Sequence, residues 1–154
     1  FTSRLPFWSD GVTRDYRQTE LWAWASTAWS NHAHSLSITY TDQDGNTGAT
    51  TGNVSTQNRA INRLMRMPWA AGDYGTRDLE GYAVNGIASA TGAVVVMVMR
   101  KLWQARIPVV NWFNFGIDQT GMPQVFDTSA LMLVVTPDST STGTPQVNLE
   151  IAEG

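Results

Sequence analysis

The sequence predicts an all-β chain, an antiparallel β-sandwich of jelly-roll-like pattern with an extended N-terminal arm. Three observations carry that expectation. Residues 93–99 (AVVVMVM) form an unbroken apolar run between the turn-forming residues 89–92 (SATG) and the pair Arg100-Lys101. A strand with one wet face alternates apolar and polar residues; this one does not, so cover on both faces is expected, from a second sheet or a partner subunit. Residues 35–41 (SLSITYT) do alternate, with Leu36, Ile38 and Tyr40 on one face and Ser37, Thr39 and Thr41 on the other. Segments of this kind recur, about seven or eight of them, with turn residues between, which is the sandwich pattern.

Taken in order, residues 1–19 mix Pro6, Gly11 and the arginines Arg4, Arg14 and Arg17, and read as an arm that docks on a neighbour or as a loosely ordered terminus. Residues 20–27 (ELWAWAST) fit two periods: Leu21, Trp24, Ala25 and Ala28 make a helical stripe, whereas Trp22 and Trp24 share one face of a strand. The turn-like residues 30–32 and the evident strand after them favour a strand. Residues 42–45 (DQDG) form a turn, and 46–56 return as a polar strand rich in Thr and Gly. Residues 57–67 (QNRAINRLMRM) read as a short helix with Ile61, Leu64 and Met65 on one side, or as an irregular extended segment. Residues 68–73 (PWAAGD) end it. Residues 78–88 are a strand weakened at Gly81 and Gly86. An unbroken strand from Ala93 to Ile107 would span roughly 50 Å, so a bend or bulge near Arg100-Lys101 is expected, with Pro108 as the end. Residues 109–115 (VVNWFNF) are apolar and aromatic, 130–135 (ALMLVV) a buried strand, 137–145 a hairpin loop and 146–151 (QVNLEI) the last strand. Residues 20–154 are thus expected to form a single sandwich domain.

Composition narrows the function. The chain has 154 residues, of which 15% are charged, against roughly 25% in an average domain. Its net charge of −3 gives no bulk positive field to attract nucleic acid or an anionic membrane. There is no Cys, which excludes disulfides and thiolate metal sites. No apolar stretch approaches the roughly 20 residues of a spanning helix. Residues 1–4 lack the basic start and apolar stretch of a signal peptide, and the first residue is not Met, so a processed chain or one that begins inside a longer product is expected. A surface of Ser, Thr, Asn, Gln and Gly with seven Trp suits extracellular proteins, virion parts and sugar-binding modules.

No constellation of residues points to catalysis, and no cofactor or metal is expected. Residues 42–46 (DQDGN) resemble the start of a calcium loop, but the twelfth position, which needs a bidentate acid, is Asn53. A hairpin turn explains the same residues. His32 and His34, the only two His, would share a strand face and could chelate a metal with an acid from elsewhere; a polar turn is the simpler reading. No Gly-x-Ser-x-Gly nucleophile turn is present. The acids Asp10, Asp15, Glu20, Asp73, Asp78, Glu80, Asp118 and Asp127 have no spacing that selects a glycosidase pair, and Arg77, Asp78 and Glu80 are expected to form surface ion pairs. Arg59, Arg63, Arg66, Arg100, Lys101 and Arg106 form a solvated face or an interface with an acidic partner rather than a nucleic-acid site. Of the tryptophans Trp8, Trp22, Trp24, Trp29, Trp69, Trp103 and Trp112, about half are expected in the core and some of the rest at subunit contacts.

Three stretches carry a resemblance: residues 36–48 (LSITYTDQDGNTG), residues 71–79 (AGDYGTRDL), and residues 121–127 (GMPQVFD) ahead of the apolar 130–135. Together they resemble a domain recurrent in structural proteins of tailed-phage virions, which shows a similar "SYTNxDGxxGR" hairpin, an "xAGDxGxRSV" turn into a strand, and a "G-x-P-x-x-x-D" loop before an apolar strand. The similarity spans roughly residues 20–154. It departs from the pattern at Gly48-Ala49, where Gly-Arg is favoured, and at Arg77-Asp78, where Arg-Ser is favoured. The resemblance implies a β-rich virion component that assembles as an oligomer, and it carries over no catalytic residue.

The resulting expectation is a non-enzymatic capsid decoration or auxiliary head protein, located in the virion. Its partners would be copies of itself, as a homotrimer, and the major capsid protein or other virion subunits. The contacts would be made by Phe1, Phe7 and Trp8 of the arm and by Trp22, Trp24, Val96, Met97, Trp103 and Trp112. The alternative is a carbohydrate-binding sandwich module of a tail or secreted glycan-active protein, with Trp22 and Trp24 as the stacking pair. A glycosidase-like enzyme is the third reading.

Overall fold

The computed structural model describes residues 8–9, 14–86, 91–104 and 131–134, and these hold strands and turns but no helix. β1 (Trp8–Ser9) and β2 (Arg14–Asp15) pair antiparallel. β3 (Thr19–Thr27) and β4 (His34–Asp42) are the central strands of two larger antiparallel sheets. Along β4 lie the short β5 (Ala49–Thr50) and β6 (Val54–Ser55) on one edge. Beside β3 runs β7 (Leu64–Met67); β8 (Thr76–Gly86) covers the other edge of β4, and β9 (Ala93–Arg100) the other edge of β3. The antiparallel all-β character expected from the sequence is therefore present.

Alternation builds the core. On β3, Thr19, Leu21, Ala23 and Ala25 are buried while Glu20, Trp22, Trp24 and Ser26 are half-buried. Leu21 and Ala23 meet Leu36, Ile38 and Tyr40 of β4, with Met65 and Met67 of β7, in one cluster; Val94, Val96 and Val98 pack against it. Two sheets thus share one core, with small side chains at Ala23 and Ala25 opposite large ones. Burial of a Leu or Ile side chain contributes about 1.5–3 kcal/mol.

Buried hydroxyls tie the edges of this core, one between the sheets and one along β4. Thr19 Oγ1 donates to the Tyr16 carbonyl over 2.8 Å and accepts from the Thr76 amide over 2.7 Å. Thr51 Oγ1 accepts from the Ile38 amide over 2.9 Å between the short strands β5 and β6, which replaces a ladder bond where the expected single strand over 46–56 breaks in two. Tyr16 and Thr19, placed in the arm by the sequence, are both buried here. The remainder of the arm, residues 1–7 and 10–13, lies outside the described residues, Phe1 and Phe7 included.

Residues 57–67 take the extended alternative. Asn58 and Asn62 adopt φ of 53° and 64°, the left-handed region that Asn tolerates and that a helix interior forbids. Irregular backbone bonds carry the segment alongside β3, from Ala25 N to the Arg63 carbonyl and from Asn62 N to the Ala25 carbonyl. β9 stops at Arg100, where the bend was expected.

The chain divides into two compact units, Phe1–Gln124 and Val125–Gly154. In the second, residues 131–134 are described outside any strand, and Leu131, Met132 and Leu133 are exposed. The buried strand expected over 130–135 is not formed at these residues: an apolar run specifies a need for cover but supplies no ladder partner. The expected segments 105–115, 137–145 and 146–151 lie outside the described residues.

The turns are set by side chains. Asp42 Oδ1 accepts from the Asp44 and Asn46 amides, each over 2.8 Å, and Oδ2 from Asn46 Nδ2 over 2.7 Å. The Asn46 side-chain bond, with help from the backbone amides, holds the Asp42 carboxyl below the usual carboxylate range. Gly45, at φ 95°, closes this hairpin. Gly75 serves a different purpose: a Cβ there would collide with the Tyr16 carbonyl oxygen, because Arg17 and Gly75 form an isolated antiparallel bridge. Gly75→Ala should therefore destabilise the fold by about 1–3 kcal/mol through overpacking against backbone, read as a lower denaturation midpoint with an unchanged slope; equal stability would show that the bridge yields freely.

Candidate interaction face

The outer face of the sheet β7–β3–β9 is the best-defined candidate site. Direct cross-strand pairs build it in rows. Trp24 lies between Leu64 and Val95, Trp22 between Arg66 and Met97, and Glu20 beside Met99. Paired residues point to the same side of a sheet, so these side chains form one surface opposite to the core. Val95 is 41% exposed, and Trp22, Trp24, Leu64, Met97 and Met99 are half-buried.

Glu20 organises the polar end of this face. Its carboxylate accepts from Trp22 Nε1 over 3.0 Å and pairs with Arg66 Nη2 at 3.1 Å. The Arg66 guanidinium also lies 5.8 Å from the centroid of the Trp69 ring. With the Arg66 side of the pair more than half exposed, its contribution is about 1 kcal/mol or less. Their effect is geometric: the Trp22 indole is fixed by its N–H, and the charges on the face cancel.

The structure brings together some of the residues expected to make contacts and separates others. Trp22, Trp24 and Met97 share the outer face. Val96, adjacent in sequence, faces inward against the core, because alternation sends neighbours to opposite sides. The run 93–99 is therefore apolar on both faces for two reasons: Val94, Val96 and Val98 serve the core, and Val95, Met97 and Met99 flank the tryptophans. Trp103 follows β9 and is 38% exposed. Trp8 lies in β1, and Trp112 lies outside the described residues. Trp29 is buried, edge-on to His34 with ring centroids 4.8 Å apart.

Glu20, Leu64, Val95 and Met99 were not among the expected contact residues, and Arg66 was expected only within a basic face or an interface with an acidic partner. The signal that finds them is the register: once β9 and β7 flank β3, the cross-strand neighbours of Trp22 and Trp24 follow. Two of the arginines expected on a basic face have partners in this chain. Arg66 pairs with Glu20 and Arg59 donates to the Ser55 carbonyl, while Arg106 lies outside the described residues. Glu80, expected in a surface ion pair, accepts from the Thr41 hydroxyl over 2.7 Å and the Gly48 amide over 3.1 Å. The two His do not come together on a ligand: His34 Nδ1 bonds Thr56 Oγ1 at 2.9 Å, and His32 Nδ1 bonds Ser30 Oγ at 3.0 Å. Among the described residues no three His, Asp or Glu are arranged to hold a metal ion.

Comparison with protein-family models, curated proteins and solved structures gives no match to this chain.

Beside the face, the loop of residues 68–75 is tied to the core by Tyr40. Its hydroxyl donates to Asp73 Oδ2 over 2.6 Å and accepts from the Ala70 amide over 2.8 Å. Burial, then the bond to Asp73, push its pKa up to about 12. The folded protein thus holds this proton more tightly than the unfolded chain. The stabilisation is complete below about pH 10, the ordinary tyrosine value, and is lost as pH rises toward about 12. Alkaline absorbance titration should show one tyrosine ionising late, and Tyr40→Phe should abolish that step and cost about 1–3 kcal/mol by leaving Ala70 N and Asp73 without their partner.

Adjacent substitutions test the face. Val96→Asp places a charge in the core and should prevent folding. Met97→Asp places it outside, and should leave the circular dichroism spectrum and cooperative unfolding of the domain intact. Unfolding of Met97→Asp as well would contradict the register of β3 against β9.

Proposed function

We propose that this chain is a non-enzymatic structural protein of tailed-phage virions, a capsid decoration or auxiliary head protein that binds and stabilises the shell as a homo-oligomer. The supporting observation is the outer face of β7–β3–β9. Its inner side already serves the core, yet its outer side carries Trp22, Trp24, Leu64, Val95 and Met97, with its one ion pair internally neutralised. Aromatic residues, Met and Arg with few other charges are the composition of interface cores. The motifs 36–48 and 71–79, which resemble those of virion proteins, add the family to the reading.

The action would be mechanical. A rigid sheet presents apolar area to sister subunits, as a closed trimer in the simplest arrangement. Each contact gains ~25 cal/mol per Å² of apolar surface removed from water, and repetition over many copies multiplies the effect. The major capsid protein is the proposed second partner. The same face is a poorer platform for sugar, since the Trp22 N–H is committed to Glu20 and the flanking side chains are aliphatic or thioether.

Quantitative mass spectrometry of purified particles, against the major shell protein, tests this reading. The expected result is hundreds of copies, with Met97→Asp lost from particles and monomeric in sedimentation velocity. A handful of copies would move the protein to a fibre or tail part, and complete absence would overturn the virion reading.

A further inference from the structure

Trp69 is packed partly on the core and lines a cleft of about 550 Å³ with Val54, Arg66, Pro68, Ala70 and Asp73. That volume is in the range of small-molecule sites, roughly 300–1,000 Å³. We propose that this cleft is a binding site for a neutral pyranose, with Trp69 and Pro68 as the apolar wall and Arg66 and Asp73 as the polar contacts. The inference stands apart from the assembly reading, although the cleft adjoins the outer face and shares Arg66 with it, while Pro68, Trp69, Ala70 and Asp73 belong to the cleft alone.

The charges decide the ligand class. Arg66 and Asp73 line one cleft but do not pair with each other; Arg66 pairs with Glu20 instead. An anion drawn to Arg66 would meet Asp73, and a cation drawn to Asp73 would meet Arg66. A neutral ligand that both donates and accepts hydrogen bonds satisfies the two together. Tyr40 occupies Asp73 Oδ2, and Oδ1 accepts nothing among the described residues. The guanidinium keeps further N–H donors beyond the one spent on Glu20. A pyranose matches this set: its hydroxyls serve the carboxylate and guanidinium, and its C–H face lies on the proline ring and the edge of the indole, since Arg66 already lies over the Trp69 ring.

The site is also held rigid. Trp69 Nε1 donates to Thr76 Oγ1 over 3.1 Å, which fixes the ring plane. Tyr40, fully buried, holds both Ala70 N and Asp73 from beneath. Gly52 N bonds the Pro68 carbonyl at 3.3 Å. Contacts supported in this way lose little conformational entropy when a ligand arrives. A single cleft would bind weakly, and display in several copies would raise the avidity without new contacts.

The experiment is an NMR titration of the ¹⁵N-labelled full chain with methyl glycosides of glucose, galactose, mannose and N-acetylglucosamine. The Trp69 indole N–H signal is assigned from Trp69→Phe. The proposal expects a saturable shift of that signal with at least one glycoside. Arg66→Gln and Asp73→Asn, which retain a polar group of similar shape, should each weaken it at least tenfold while thermal unfolding stays cooperative. Acetate and tetramethylammonium should not saturate the site. No saturable shift with any glycoside, a shift at Trp22 or Trp24 with Trp69 silent, tighter binding of either ion, or affinity unchanged in both variants would each overturn the proposal. Asp73→Asn lies off the outer face and should leave the particle copy number unchanged, so with this variant the two readings fail separately.

Discussion

The structure depends on the register of β3. Side chains alternate across a strand, so a slip of one residue would exchange the whole inward set with the outward set. In the observed register Leu21, Ala23 and Ala25 face the core and Glu20, Trp22 and Trp24 face out. The reverse would press two indoles into the space that two Ala methyl groups now fill, which a close-packed interior cannot absorb. Three further contacts hold the choice. Thr19 at the start of the strand reaches Tyr16 and Thr76. Glu20 meets Arg66 diagonally across β7. On the other side, β9 adds Val94, Val96 and Val98 to the core. The outer apolar face is a by-product of the same constraint, since the register that turns Ala23 and Ala25 inward turns Trp22 and Trp24 outward.

Two of the three stretches that resemble phage structural proteins have geometric roles in this chain, and the third, residues 121–127, lies outside the described residues. Asp42 and Asn46 make the hairpin turn, and Gly45 provides its left-handed position. Asp73 anchors its loop to Tyr40, and Gly75 lets that loop approach Tyr16. Turns with such demands constrain sequence strongly, since few residue types satisfy them. A resemblance built on them speaks to how the sheets are connected. It is silent on chemistry, and the functional argument rests instead on the sheet face.

How much was legible in the sequence follows from the range of each interaction. The alternation of residues 35–41 is local, and β4 appears where it was expected. The run 93–99 announced burial, but apolarity does not say what provides it; one face serves the core of its own chain and the other lies beside Trp22 and Trp24. Residues 57–67 carry a helical spacing by composition, and Asn58 and Asn62 in left-handed conformations break it. The Tyr40–Asp73 bond joins residues 33 apart in sequence, and no periodicity encodes a pairing at that distance. For that reason Trp69 read only as one tryptophan among seven, and its cleft was invisible before the loop was placed.

The two halves of β8 show how the chain manages an exposed edge. Its register against β4 skips twice, leaving Glu80 and Arg77 as extra residues. Bulges and charge both discourage another strand from pairing there, and residues 77–80 (RDLE) supply both. Residues 81–86 (GYAVNG) have neither. Within them Tyr82 and Val84 lie opposite Ile38 and Leu36, on the inward side, yet they are 66% and 45% exposed. Among the described residues no strand lies on the outer edge of β8. A protein that functioned as an isolated domain would gain from blunting this half as it blunts the other. Under the assembly proposed above, this uncharged half of β8 is the end of the sheet left open to further pairing, and the bulged, charged half is the end that is closed.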